Sequence, residues 1–252
     1  MPKQLLTTEQ AMRYNRQIVL PKFDLEKQEI LLNAKVLVVG VGGLGCAAAQ
    51  YLVAAGVGEI TLIDDDKVEK SNLQRQILHG EADVGINKCL SAKASLEQMN
   101  SDIKIHVIQK RLRLVDYQEL IEPLDIVVDC TDNLASRNTL NQACYPLGKP
   151  LVSGAAIRME GQLMSIIPAK HSACYACISG YFGEQNLSCV ESGVMSPVVG
   201  VIGAMQALEV IKILCDYGES NVNKLMMFDA MATTWQTFKV SKKVNCGVCG
   251  SA

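Results

Sequence analysis

The stretch K-V-L-V-V-G-V-G-G-L-G, Lys35 to Gly45, decides the architecture. A lysine and four apolar residues open it, as in a short parallel strand buried on both faces. The next six residues fit G-x-G-x-x-G through Gly40, Gly42 and Gly45, with Gly43 as an extra glycine. A small-residue segment with helical character, Cys46 to Ala55, follows. Strand, glycine turn and helix in that order bring backbone amides at a helix N-terminus to a place where phosphate can be held. No charged residue occurs from Val36 to Gly58, a length that raises a membrane helix. Six glycines interrupt the run, and such breakers favour a strand, a turn and a buried helix.

Outward from the turn, Ile60 to Ile63 reads as the second strand and ends in Asp64. An acidic residue about 20 positions beyond such a turn suits a ribose hydroxyl. On these residues alone an NAD-dependent dehydrogenase stays open, as do glycines that serve only close packing. The segment S-N-L-Q-R-Q, Ser71 to Gln76, and Lys88 beyond it add Asn72, Arg75 and a second cation. Hydride transfer gives those cations no task, whereas attack at the α-phosphate of a triphosphate does, because charge builds there and on the leaving pyrophosphate. Leu124 to Val128 reads as a further strand, leading to D-C-T-D-N, Asp129 to Asn133. Asp132 would face the same crevice, where a carboxylate can hold Mg2+. The ligand that fits is ATP with Mg2+. Plainer readings stand beside this one: Arg13 and Arg16 as solvated helix charges, Lys88 as a surface lysine, and Asp132 as an N-cap.

Further along, Thr8–Ile18, Val84–Asn100 and Arg137–Leu147 read as helices, Ile103–Ile108 as a strand, and Pro150–Ser153 as the start of another. Strand and helix alternate, which predicts a parallel sheet covered on both faces. After about Gly154 the pattern changes to antiparallel strands, in Gly161–Ile167 and Leu225–Val240, with an apolar helix at Pro197–Leu214 between them. The expected fold class is α/β: a Rossmann-like, mostly parallel sheet continued by antiparallel strands. One domain is expected over residues 1–252, with a nucleotide-binding half (1–153) and a second half (154–252). The 252 residues are 49% hydrophobic and 20% charged, ordinary for a globular chain. A net charge of −2 argues against a nucleic-acid partner held by bulk electrostatics. The first ten residues lack the apolar core of a signal peptide, so a cytoplasmic location without a membrane is expected.

Ten cysteines are many for such a chain. Cys46, Cys89, Cys130, Cys144 and Cys215 sit singly among apolar residues and read as small core side chains. Cys174/Cys177 and Cys246/Cys249 form two C-x-x-C pairs, enough thiolates for a closed, structural tetrahedral Zn2+ site that would staple the tail to the middle of the chain. Two redox dithiols are the alternative. Cys189 lies in a polar, glycine-containing stretch, and His79, His106 and His171 show neither metal nor triad spacing.

R-Y-N-R-Q-I, G-V-G-G-L-G, S-N-L-Q-R-Q, D-C-T-D-N, S-G-A-A-I-R-M-E-G-Q and the paired C-x-x-C occur here in the order of the MoeB/ThiF family, which the chain resembles from about Arg13 to Gly250. These are bacterial relatives of the ubiquitin-activating enzymes. Ser153–Gln162 and the segment from Cys189 look more like the MoeB branch. The resemblance implies adenylation of the C-terminal glycine carboxylate of a small ubiquitin-fold carrier. That carrier would be the small subunit of molybdopterin synthase or, alternatively, the thiazole sulfur carrier; a non-catalytic carrier-docking subunit is a third reading. It further implies that Gly43 and Asp64 contact the nucleotide, that Ser71, Asn72, Leu73, Gln74 and Arg75 line its phosphates, and that Asp132 with Asn133 completes the metal side. Arg75 and Lys88 would stabilise the transition state. Arg16 would come from the neighbouring copy of a homodimer, Cys189 is the position where relatives carry a covalent cysteine, and sulfur would come from a separate sulfurtransferase. Ile86-Asn87 stands where relatives often carry a proline before the lysine.

Overall fold

The computed structural model describes residues 4–169, 172–180 and 192–250. One eight-stranded sheet runs through both halves in the order β3-β2-β1-β4-β5-β6-β7-β8. Its strands are β1 (Lys35–Val39), β2 (Glu59–Ile63), β3 (Lys104–Ile108), β4 (Ile126–Asp129), β5 (Leu151–Ile157), β6 (Glu160–Ile166), β7 (Lys224–Asp229) and β8 (Thr234–Lys239). The pairs from β3 across to β5 are parallel, and those from β5 across to β8 are antiparallel. This is the sheet the alternating pattern predicts, including its change of direction near Gly154.

Helices cover both faces. They are α1 (Thr8–Arg13), α2 (Asn15–Ile18), α3 (Asp24–Asn33), α4 (Gly43–Ala54), α5 (Lys88–Met99), α6 (Leu114–Ile121), α7 (Leu134–Cys144), α8 (Ala176–Ser179) and α9 (Ser196–Cys215). Alternation along β1 divides the core. Val36 and Val38 join the cluster under α4, α5 and α9. Leu37 and Val39 join the one under α6, α7 and α8. A strand apolar on both faces can sit only in the middle of such a sheet. The five single cysteines named above are all buried.

Val36–Gly58 resolves into β1, the glycine turn and α4, so no single helix spans it. The other apolar segment, α9, has the length and hydropathy of a membrane span. In this fold Val198, Ile202 and Val210 pack in the core, and α9 presses on α4 closely enough that a Cβ on Gly203 would strike the Leu44 carbonyl. Glu209 within it is 1% exposed, accepts from Ser165 Oγ and the Asn221 N–H at 2.7 Å each, and pairs with Lys212. Buried charge is tolerated when hydrogen-bonded and paired in this way.

The helix expected over Val84–Asn100 begins only at Lys88. Glu81–Asp83 is a 3-10 turn and Gly85 has φ +89°, a left-handed conformation that no α-helix contains. α7 begins earlier than expected, and its N-cap is Asn133, whose Oδ1 accepts the Ser136 N–H at 2.9 Å, so Asp132 is not the cap. α3 and α6 have no counterpart in the expectations above.

Candidate active site

The turn after β1 and the turn after β4 lie side by side where the chain order reverses, the place at which open α/β sheets bind ligands. A cleft of about 320 Å³ opens there. Gly40, Gly42 and Gly43 form one wall, Asp64 to Asp66 follow β2, Asn72, Arg75 and Gln76 come from the S-N-L-Q-R-Q segment, and Lys88 heads α5. Thr131, Asp132 and Asn133 close the far side.

Local hydrogen bonds hold each group in place. The Asp64 carboxylate accepts the N–H of Val41 at 2.7 Å and of Asp66 at 2.9 Å, which ties the second strand's end to the glycine turn. Burial raises the Asp64 pKa, while Lys88 and those two amides oppose the rise. Asn87 caps α5 by accepting from Cys89 N–H, and its Nδ2 donates to the carbonyls of Asp64 (3.1 Å) and Asp66 (3.0 Å). Asn87 thereby fixes the acidic loop against the helix that carries Lys88.

Lys88 is 7% exposed and its Nζ is 2.8 Å from Asp66 Oδ2. A cation in the first turn of a helix opposes the helix dipole, typically by about 0.3–1 kcal/mol. Its burial there rules out the surface-lysine reading. Arg75 reaches the cleft from the loop, with Nη1 donating to the Ser71 carbonyl at 3.2 Å. Asp129, fully buried at the end of β4, accepts from Thr131 Oγ1 and Ser153 Oγ at 2.7 Å each. Burial raises its pKa and the Arg137 charge opposes that. The network fixes the turn that presents Asp132, whose exposed carboxylate is an oxygen donor of the kind Mg2+ takes.

Of the residues singled out in the sequence, Gly40, Gly42, Gly43, Asp64, Asn72, Arg75, Lys88, Asp132 and Asn133 meet in this cleft. Gly45, Ser71, Leu73, Gln74 and Arg16 are not among its lining residues. Gly45 serves packing, since a Cβ there would strike the Gly40 carbonyl. Ser71 Oγ turns to Glu69, and the Gln74 carbonyl accepts from Ser196 at the head of α9. Arg16 is exposed on α2. Cys189 and His171 lie outside the described residues.

The structure adds Asp66, Lys110, Arg111, Thr131 and Arg137, to which the sequence reading gave no role, and Gln76, which it read only as one donor of S-N-L-Q-R-Q. Gln76 is 3% exposed and its Oε1 has no hydrogen-bond partner among the described residues, so a polar ligand is the natural match for it. Its place in the quoted S-N-L-Q-R-Q was the available signal. Lys110 and Arg111 follow β3 at the same sheet end as Asp64, a position readable only once strand order is known.

A second cluster joins the C-x-x-C pairs. The four Sγ atoms lie within 4.8 Å of one another, with Cys174–Cys246 at 3.6 Å and Cys177–Cys249 at 3.3 Å. Ligands on a tetrahedral Zn2+ with bonds of about 2.3 Å stand roughly 3.8 Å apart, so the set fits that ion. Burial raises the Cys246 pKa, but the amides of Cys249 and Val248 together with hydrogen bonds from the Cys249 and Cys174 thiols bring it down to about 6. Amide donors of this kind also favour a metal-bound thiolate.

Residues 14–248 match the ThiF family. The chain is 50% identical over 245 residues to the molybdopterin-synthase adenylyltransferase of Salmonella typhimurium, spanning 97% of this chain and 98% of that protein. It is 43% identical over 253 residues to the adenylyltransferase and sulfurtransferase MOCS3 of Drosophila persimilis, covering 99% of this chain and 56% of that protein. Among solved structures, E. coli MccB with ATP is similar at a TM-score of 0.77 and 29% identity, covering 89% of this chain and 69% of that one. PaaA, at a TM-score of 0.79 and 21% identity over 96% of this chain and 77% of its own, shares the fold. With the family pattern running through almost all of its length, and half its residues shared with a relative matched end to end, the chain belongs to the ThiF family.

Proposed function

We propose that the protein is a cytoplasmic adenylyltransferase that uses ATP to activate the C-terminal glycine carboxylate of a ubiquitin-fold sulfur carrier, the small subunit of molybdopterin synthase. The observation that carries this reading is the meeting of Arg75 and Lys88 with the glycine turn and Asp64 in one cleft. The near-full-length likeness to molybdopterin-synthase adenylyltransferases supports the choice of carrier.

The chemistry asks for cations rather than a base. A carboxylate oxygen, already ionised, forms a bond to the α-phosphorus. The bond from that phosphorus to the bridging oxygen breaks, and its electron pair leaves with pyrophosphate. Negative charge concentrates on the α-phosphate and on the leaving group, and preorganised positive groups stabilise it. Arg75 and Lys88 fill that role, Asp64 takes the ribose hydroxyls, and the amides at the start of α4 receive phosphate oxygens. Asp132, beside Asn133, would hold Mg2+, which neutralises phosphate charge when bound.

Adenylation by this cleft would appear as ATP–pyrophosphate exchange that requires Mg2+ and the molybdopterin-synthase small subunit. Lys88→Ala should lower it by about 100-fold or more, in the range for losing one charge-stabilising group, with fold and carrier binding retained. Exchange with the thiazole sulfur carrier alone would move the protein to that pathway. Carrier binding without any exchange would leave a docking subunit.

Arg16 is exposed on α2 and absent from the lining of its own cleft, which favours its supply to a second copy's site in a homodimer. Mixing Arg16→Ala with Lys88→Ala chains should then restore exchange that neither variant gives alone. No restoration after subunit exchange would put Arg16 outside the site.

Zn2+ held by Cys174, Cys177, Cys246 and Cys249 would be structural, since four protein ligands leave no open position. Metal analysis should find one zinc per chain. Removing it should lower the melting temperature by about 10 °C, roughly 3–4 kcal/mol for a chain of this size. An unchanged melting curve in the metal-free protein would contradict a structural role.

A further inference from the structure

Beneath the glycine turn, outside the lining of the cleft, lies a buried imidazole that the chemistry above does not use. His79 is 7% exposed. Its Nε2 is 3.1 Å from the Val41 carbonyl oxygen and its Nδ1 is 2.8 Å from Ser91 Oγ. Cys46 Sγ also lies 3.7 Å from Nε2. The carbonyl is the nearer and only accepts, so the contacts call for a proton on Nε2, with Nδ1 taking the hydrogen of the Ser91 hydroxyl. Burial lowers the imidazole pKa, and although the Val41 bond opposes this, Lys88 adds to it, so the ring is neutral at neutral pH. Cys46 Sγ donates to the same carbonyl at 3.6 Å, and burial pushes its thiol up to about 12, so it brings no negative charge to the turn.

The Val41–Gly42 peptide is trans, as are the other described peptides, and a trans peptide points its C=O and N–H in opposite directions. With the carbonyl drawn inward onto His79, the Gly42 N–H points the opposite way, and Gly42 itself lines the cleft. The preceding peptide is fixed separately, its Val41 N–H donating to Asp64. A peptide that precedes glycine can rotate at little steric cost, and once reversed it would present a carbonyl oxygen to a phosphate. We propose that His79 is a positioning residue: by holding the Val41 carbonyl it keeps the Gly42 amide aimed at the nucleotide's phosphates. The gain is preorganisation, a donor already oriented before charge develops. The phosphate ligand rests on the adenylation reading; the hydrogen-bonded turn does not.

Two measurements test it. Nitrogen-15 spectra of the three histidines in the full chain, with His79 assigned by its loss in His79→Gln, should show the neutral Nε2–H tautomer at pH 7. The Nδ1–H tautomer would overturn the proposal. Calorimetry of ATP binding, without carrier, then compares His79→Leu, which removes the donor, with His79→Gln, which keeps an amide nitrogen near the Nε2 position. Leucine should weaken binding by about tenfold and glutamine by less than about threefold, as expected for one misdirected donor. Equal losses in both variants would mean that ring packing matters and amide direction does not, and an unchanged leucine variant would be equally fatal. If the leucine variant fails to fold, the wild-type tautomer and the glutamine variant's retained affinity decide. Wild-type protein that binds ATP yet gives no exchange would defeat the adenylation reading while leaving His79 to be judged by these results.

Discussion

The structure turns on an approach of backbone to backbone that leaves no room for a Cβ. Gly40 has φ +89°, and a Cβ on it would sit 2.8 Å from the Cys130 carbonyl oxygen at the end of β4. Gly45, one turn into α4, lies against the Gly40 carbonyl with no room for a methyl group. Together they let the chain leave β1, reverse over the strand ends and enter α4 with the helix N-terminus above the ends of β1 and β4. Everything polar in the cleft is placed relative to that corner. Asp64 is fixed through the Val41 amide, and the turn itself is backed by α9, whose Val199 touches Gly43. Packing and chemistry therefore share the same glycines, and neither reading of G-x-G-x-x-G excludes the other.

Charge is arranged against local preference at one point. Lys88 opens α5, buried, where a helix favours an anion, and it is kept there by Asp66 and by the Asn87 cap that ties the acidic loop to the helix. Sequences depart from such rules mainly where function requires it. Neighbouring hydrogen bonds offset the cost, and the result is a fixed positive charge on a nearly buried side chain, where it acts more strongly than in water. The four-cysteine cluster works at the other end of the second half, joining the tail to α8 beneath β6 and β7. It lies apart from the cleft, which none of its four cysteines lines.

Much of this was legible in the sequence because it is written in local pattern. Runs of consecutive apolar residues marked the inner parallel strands and alternation marked β3. Glycine spacing marked the turn, Asp64 followed at the expected distance, and the C-x-x-C pairs announced four thiols. Other features depend on contacts between distant segments. α3 and α6 carry mixed polar sequences whose burial is decided by the sheet beneath them. The start of α5 at Lys88 is set by Gly85 and by the Asn87 cap, which a periodicity spanning Val84–Asn100 does not reveal. Asp129 looks like any strand-end acid until Ser153, from the next strand over, is seen to bond it. His79 shows no metal or triad spacing because its partners, Val41 and Ser91, lie in the glycine turn and in α5.

On the adenylation reading, this cleft directs a carboxylate onto the α-phosphate and onto no other. That is tested most directly by incubating the protein and carrier with ATP labelled at either the α- or the γ-phosphate. The expected result is α-label attached to the carrier's C-terminus in a hydroxylamine-sensitive form, with γ-label recovered wholly as pyrophosphate. Transfer of γ-label to the carrier, or release of ADP and free phosphate in its place, would contradict it.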